Sequence, residues 1–524
     1  MAFSLGKEKE EGPVEYKLKI SGGKQKIWKL AAQIKYRLAE GGGEAIFEIG
    51  VSDDGIPVGI SESEMKKSIY LLGKAANSVG ASIKVIRTVK GKKGLVSEVL
   101  IRRKVVNEPI FIFIPIIGNV DSGKSTTISV LTHGILDDGN GSAMARIARH
   151  PHEIISGRTS SISTALLGFD EKGEPVNYML PMPSEDEVYL RSSKIICFID
   201  LAGHERYFKT TLKGICSHEP DYGMFVVGGN AGLIGMAKEQ FAVLHSLKIP
   251  IFTVITKIDI APEGKLKEVM KQIKSLAELP AINKIVIPIR NINDVVVASK
   301  HMPSGRIMPV FQISNKTGEN IHLLRTFLNL LPPRLKWDEK TSRKFMMYVE
   351  EKFNVKGVGP VVYGLILQGS VSVGDSVWIG PDENGEFKLV RVKSIHTHRV
   401  PVDRASAGQL ACLALSDIKW EEILKGMVVL DRLTTPRSTR KFKAKILVLH
   451  HPTLIKRGYQ AVVHINAARQ TVVFEDMSKE PLRTGDIAEV TLRFLYRPLY
   501  VPVNEKIILR EGRTRAIGIV TKLL

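Results

Sequence analysis

The run Gly118-Asn119-Val120-Asp121-Ser122-Gly123-Lys124-Ser125-Thr126 follows a strongly apolar stretch, Phe111 to Ile117, and precedes residues suited to a helix. That context gives the Gly-x-x-x-x-Gly-Lys-Ser spacing its meaning, because a strand entering a helix through such a turn directs several backbone amides at one point. Those amides, from Asn119 to Thr126, can surround phosphate oxygens while Lys124 neutralises their charge and Ser125 offers a hydroxyl to Mg²⁺. The positive end of the following helix adds a favourable dipole interaction. A plain glycine-rich turn would leave the Lys-Ser pair unexplained.

Asp200 closes a second apolar strand candidate within Asp200-Leu201-Ala202-Gly203-His204-Glu205. Its carboxylate is placed to orient metal-bound water, and Gly203 lets the backbone approach a terminal phosphate closely. His204 is the candidate for positioning an attacking water; the competing reading is a histidine that packs nearby without touching it. Thr256-Lys257-Ile258-Asp259 supplies a carboxylate that can accept paired hydrogen bonds from the ring and amino NH groups of guanine, a donor pattern adenine lacks. Lys257 can lay its aliphatic stem over the base, and Ser314, followed by Asn315 and Lys316, is a candidate contact near the purine oxygen. Taken singly, Lys257 and Asp259 would read as a surface charge pair and Ser314 as a turn residue. Together with the phosphate cradle they predict in-line attack of water on the γ-phosphate of bound GTP, with no covalent protein nucleophile.

At 524 residues the chain is too long for one ordinary core, and four segments can be told apart. Residues 1–107 read as β-α-β-α-β-β, a small α+β layer with a capping box at Ser61 and Glu64. Residues 108–334 have the rhythm of an open α/β domain, ended by Pro332-Pro333. Residues 335–436 and 437–524 change to short β-like runs between glycine turns, which two successive β-barrels explain. Residues 135–157 read as a mobile or partner-ordered loop.

The net charge of +21 points to a polyanionic partner. Lys24, Lys26, Lys29, Lys35 and Arg37 lie near Trp28 and Tyr36 on the first predicted helix; two aromatics are too few for a stacking platform, so a solvated face is the preferred reading over RNA contact. Arg437, Arg440, Lys441, Lys443 and Lys445 divide evenly between an approach to a partner and a solvated strand edge. Cys197, Cys216 and Cys412 have neither zinc spacing nor a disulfide framework, which fits a reducing cytosol. The start carries no apolar run behind a basic segment, and Ile110 to Ile117 is too short to span a bilayer, so neither secretion nor membrane insertion is expected.

These motifs resemble the translational GTPase superfamily, especially the GTP-binding-protein-1-like group related to elongation factor Tu. The resemblance covers residues 108–524 and implies a P-loop G domain followed by two β-barrels. Gly357-Val358-Gly359-Pro360-Val361-Val362-Tyr363-Gly364 is similar to the opening motif of the first barrel, and Gly512-Arg513-Thr514-Arg515-Ala516-Ile517-Gly518 to the closing strand of the second. It implies that His204 organises water once a ribosomal partner engages the G domain, and that Asp121 helps bind K⁺ beside the phosphates. The first switch would fall around Arg158-Thr159-Ser160-Ser161-Ile162, with Ser161 as the Mg²⁺ hydroxyl and Thr159 as the alternative; an ordinary serine-rich loop is the competing reading.

Two positions depart from the family pattern. Val120 would face polar Ser160 across the gate beside the attacking water, and Thr256 stands where an asparagine commonly joins the base to the phosphate loop. Threonine lacks the amide that makes both contacts. The implied function is a cytoplasmic, GTP-controlled factor that binds the ribosome, with tRNA or another RNA as further partner; no oligomeric state is expected from the sequence. Aminoacyl-tRNA delivery, ribosome quality control or RNA decay, and GTP binding without turnover are the alternatives. Intact Lys124, Ser125, Asp200 and His204 oppose the last.

Overall fold

The computed structural model describes residues 7–104, 108–139, 141–145, 163–180, 183–201, 215, 217–512 and 514–524. Contacts divide the chain into two compact units, one running to Leu335 apart from a short stretch before Pro220, the other built on Lys336–Leu524.

The first unit begins with the expected β-α-β-α-β-β order. Its sheet runs Val14–Lys17, Glu44–Ile49, Leu95–Arg103, Ala81–Lys90, the first pair parallel and the others antiparallel. Alternation along Glu44–Ile49 turns Ala45, Phe47 and Ile49 toward helices Lys24–Glu40 and Glu62–Ser78, whose Leu30, Ile34, Met65 and Leu72 complete that core. Ile46, with Leu100 and Ile86, packs instead into the core of the following domain. The capping box forms as expected: the Glu64 amide donates to Ser61 Oγ at 3.3 Å, and the Ser61 amide to Glu64 Oε2 at 3.1 Å. Arg37 departs from the expected basic face. It is buried, donating to Glu15 at 2.7 Å and to the carbonyls of Glu10 and Gly12 at 2.9 Å each.

The second sheet of this unit has seven strands in the order Ile285–Pro288, Ile307–Gln312, Ile251–Thr256, Gly223–Gly228, Ile110–Gly118, Lys194–Asp200, Ser163–Phe169. All neighbours are parallel except the last pair. Near-continuous apolar runs such as Ile110–Gly118 suit strands covered on both faces, which makes these central strands readable from sequence. Ile285–Pro288, exposed and half-buried by turns, and Ser163–Phe169, starting beside a serine-rich run, lack that signature.

In the second unit, the strand path Met346–Tyr348, Val428–Asp431, Ser376–Gly380, Lys388–Thr397, Leu410–Leu415, Gly359–Gln368 returns to Met346–Tyr348 and so closes a ring of six. A second closed barrel runs Lys441–His450, Ile487–Phe494, Ala468–Met477, Gln460–Ile465, Lys506–Glu511, Thr514–Leu523. On Lys441–His450, Phe442, Ala444 and Ile446 are buried, while Lys441 and Lys443 pair with Glu475 at 2.8 Å and Glu489 at 3.1 Å. Those two lysines are a solvated, ion-paired strand face. Among the described residues no helix is long and apolar enough to cross a membrane.

The small sheet and the seven-stranded sheet are joined by buried charge. Glu44 accepts from Arg102 at 2.6 Å and from Lys194 at 2.8 Å, and both cations are wholly buried. Arg102 also donates to Asn329 Oδ1 at 2.7 Å, and Lys194 to the carbonyls of Asn329 and Leu331 at 2.8 and 2.5 Å. Burial alone would raise the Glu44 carboxyl, but Lys194 and Arg102 outweigh it and hold the group below the ordinary carboxylate range. A second knot places Lys300 between Glu48 and Glu98, with Arg87 donating to Glu98 at 2.5 Å and to Asn293 at 2.8 Å.

Removing one partner of such a buried group leaves charge uncompensated, a cost of about 3–5 kcal/mol. Glu44→Gln should therefore lower the urea midpoint for hydrogen exchange in strands Glu44–Ile49 and Lys194–Asp200 at pH 7. Because the folded carboxyl titrates lower than the unfolded one, its contribution is full above the ordinary value of about 4.3 and is lost as pH falls below it. The deficit of the variant should shrink over that acid range; an unchanged midpoint at pH 7 contradicts the role assigned to Glu44.

Candidate active site

The parallel register sets Asp200 opposite Ile116, two residues before the strand Ile110–Gly118 turns into its loop. Gly118 has φ +144°, and a Cβ there would lie 2.1 Å from the carbonyl oxygen of Val226, so only glycine permits this exit. Gly123, at φ +84°, is the N-cap of helix Lys124–His133. Between them Ser122 Oγ donates to the Asn119 carbonyl at 2.8 Å, closing the turn, and Gln240 Oε1 accepts from the Gly118 amide at 2.8 Å. Gln240 carries no motif, so the sequence alone does not single it out.

Lys124 folds back over this loop, its Nζ donating to the carbonyls of Asn119 at 2.6 Å and Gly118 at 3.1 Å. Burial pulls its ammonium down to about 8 against the opposing attraction of Asp200 and Asp121. Asp121 itself is exposed, at φ +58°. Ser125 Oγ donates to Asp200 Oδ2 at 2.6 Å, so two of the three oxygen donors expected to serve Mg²⁺, far apart in sequence, meet in a site where both residues are less than a tenth exposed. Paired hard oxygens at the edge of a phosphate loop fit Mg²⁺ chemistry.

Thr256 ends the strand Ile251–Thr256 and donates from Oγ1 to the Ser122 carbonyl at 2.7 Å. Threonine thus links the end of this strand to the phosphate loop through its single donor. Lys257 then takes φ +60°, which turns the chain and leaves Asp259 exposed. Ser314 is fully buried; its hydroxyl donates to Asp259 Oδ1 at 2.7 Å and accepts from the amides of Lys316 and Thr317 at 3.2 and 3.0 Å. Its hydroxyl thus links the Asp259 carboxylate to the turn that follows Ser314. Asn315 Nδ2 donates to Thr127 Oγ1 at 2.9 Å, tying the same loop to the helix that starts at Lys124. Val120 and Thr126 sit half-buried on the loop and its helix, and Lys316 is exposed. Gly203, His204, Thr159, Ser160 and Ser161 lie outside the described residues.

Of the loop expected over residues 135–157, residues 140 and 146–157 lie outside the described residues, and the part next to helix Lys124–His133 is hydrogen-bonded. The Asp137 amide donates to the Asn315 carbonyl at 2.9 Å, and the Asp137 carboxylate caps the amides of Gly139 at 3.0 Å and Ala143 at 2.9 Å. Leu136 lies against Gly318, 3.3 Å from where a Cβ would project. This strap braces the loop that follows Ser314 from outside. Its signal is the Asp-x-Gly turn spacing at Asp137 and Gly139, masked by the polarity of its surroundings.

Residues 109–333 match the Elongation factor Tu GTP binding domain, residues 359–430 the Elongation factor Tu domain 2, and residues 435–524 the Elongation factor Tu C-terminal domain. GTP-binding protein 1 of Xenopus laevis is 43% identical over 94% of this chain and 76% of its own length. GTP-binding protein 2 of Homo sapiens is 40% identical over 99% of this chain and 88% of its own. In fold, the crystal structure of translation elongation factor SelB from Methanococcus maripaludis with the GTP analogue GppNHp matches with a TM-score of 0.56, at 19% identity over 80% of each chain. An expected phosphate loop, an expected guanine aspartate and two expected barrels therefore converge on one family: the chain belongs to the translational GTPase superfamily, with GTP-binding proteins 1 and 2 among its relatives, and is a GTP-hydrolysing enzyme of the translation-factor type.

Proposed function

We propose that this GTPase is a cytoplasmic switch whose turnover is coupled to the ribosome, and that the residues gathered at the C-terminal ends of the parallel strands hold its nucleotide. The observation that carries the reading is the Ser125–Asp200 contact at 2.6 Å, which puts a hydroxyl and a carboxylate beside the phosphate loop. Amides from Asn119 to Thr126 cradle the phosphates, and Lys124 exchanges its two loop carbonyls for phosphate oxygens. Ser125 and Asp200, joined by Ser161 from the first switch, hold Mg²⁺, which when bound neutralises charge on the transferring phosphoryl. Asp259, aimed by Ser314, reads the guanine edge while Lys257 covers the base and Thr256 keeps that reader in register with Ser122. Gly203 lets the backbone close on the terminal phosphate, His204 orients the attacking water, and Asp121 faces a K⁺.

Coupling to the ribosome is supported by the net charge of +21 together with the match of three successive segments to Elongation factor Tu models. That same three-segment match favours aminoacyl-tRNA delivery as the second reading. GTP turnover should rise on adding purified ribosomes, and His204→Ala should remove the stimulation while leaving GDP affinity unchanged. Turnover indifferent to intact ribosomes sinks the reading; protection of the aminoacyl bond in the presence of GTP would select delivery.

Lys124 gives a pH signature. Without nucleotide its ammonium loses its proton near 8, and phosphate favours the charged form, so binding is strongest below that value and weakens above it. The charged fraction falls from about nine-tenths at pH 7 to about one-tenth at pH 9, so GDP affinity should drop about tenfold across that interval. A flat titration between those limits would remove Lys124 from the phosphate site.

A further inference from the structure

Helices Lys24–Glu40 and Glu62–Ser78 cover one face of the small sheet, while the opposite face contributes Leu100, Ile46 and Ile86 to the GTPase core. The outer faces of both helices are therefore the side of this layer turned away from the nucleotide-binding domain. They carry three large aromatic side chains in solvent: Trp28 is 78% exposed, Tyr70 70% and Tyr36 49%. Trp28, Ala32 and Tyr36 follow one another at four-residue intervals and so line one face of the first helix, with alanine as a low step between two rings. On the second helix Lys67 and Lys74 stand three residues before and four after Tyr70, on the same face.

The charge around these rings is predominantly basic. Lys29, Lys35, Lys67 and Lys74 are exposed and make no ion pair among the described residues. Of the acids nearby, Glu62 pairs with Lys66 at 2.7 Å, Glu64 closes the capping box of its helix, and Glu8 and Glu15, in the cleft that Tyr36 borders with Glu10, bind Arg37, while Glu40, four residues after Tyr36, is exposed. This contrasts with the Lys441–Glu475 and Lys443–Glu489 pairs on the second barrel, where basic residues answer acidic ones across strands.

We propose that the outer face of these two helices is a contact site for single-stranded RNA, with Trp28, Tyr36 and Tyr70 stacking on unpaired bases and Lys29, Lys35, Lys67 and Lys74 tracking the phosphates. Exposed rings interleaved with unpaired cations are what a sequence-tolerant single-strand surface needs. A protein partner is the poorer fit, since lysine is depleted from protein interfaces while aromatic residues are enriched. The site is separate from the GTPase machinery, so it stands or falls independently of ribosome coupling.

The test is binding of a fluorescein-labelled oligouridine 12-mer to the full-length, GDP-bound protein. Trp28→Ala with Tyr70→Ala should weaken it at least about tenfold. Lys29→Gln, Lys35→Gln, Lys67→Gln and Lys74→Gln together should flatten the slope of log affinity against log salt by about 3, at roughly 0.7 for each phosphate that is no longer neutralised. Both variants should retain GDP binding and basal GTP turnover, which certifies their fold. Unchanged oligouridine affinity in the aromatic variant overturns the proposal. So does binding of polyglutamate to the wild type at equal strength, which would mark the face as a site for acidic protein.

Discussion

Two neighbouring parallel strands, Ile110–Gly118 and Lys194–Asp200, are loaded at both ends. At their starts, Lys194 is locked with Arg102 onto Glu44, so the accessory layer is bolted to the sheet by charge that has no access to water. At their far ends, Gly118 opens the phosphate loop and Asp200 meets Ser125. Buried charge of this kind contributes little net stability over an apolar replacement, yet is costly to break on one side. It ties the start of Lys194–Asp200, the strand that ends on Asp200, to the accessory layer.

The loop's own hydrogen bonds show how that placement is maintained. Lys124 rests on the carbonyls of Gly118 and Asn119, and Ser122 is held both by its own bond to Asn119 and through its carbonyl by Thr256. The Ser314–Asn315 loop is likewise tied down three ways, by Ser314 to Asp259, by Asn315 to Thr127, and by the Asp137 strap. Preorganised groups of this sort lose little freedom on binding, so more of the interaction survives as affinity.

Much of this is legible in the sequence because local chemistry determines it. Glycines at positive φ, the Lys-Ser pair and the apolar strands before them report the phosphate loop directly, and Ser61 with Glu64 reports a helix start. What stays hidden depends on residues distant in sequence. Glu44, Arg102 and Lys194 read as ordinary surface charge until three strands bring them together, and Gln240 has no motif. Met346–Tyr348 and Val428–Asp431, which close the first barrel, are too short for a period-two pattern to register. Arg37 reads as part of a basic face because helical spacing does not reveal that the preceding segment folds back over it. The bond from the Ser314 hydroxyl to Asp259 likewise joins two segments whose link no local pattern reports.

The central claim is that the Ser125–Asp200 pair is the metal-holding element of a GTP switch. It is tested most directly by titrating GTP against the wild type and Ser125→Ala, each with Mg²⁺ and with EDTA. Mg²⁺ should tighten GTP binding to the wild type and lose most of that effect in Ser125→Ala, while the two proteins bind comparably in EDTA. An equal Mg²⁺ dependence in both would contradict the account.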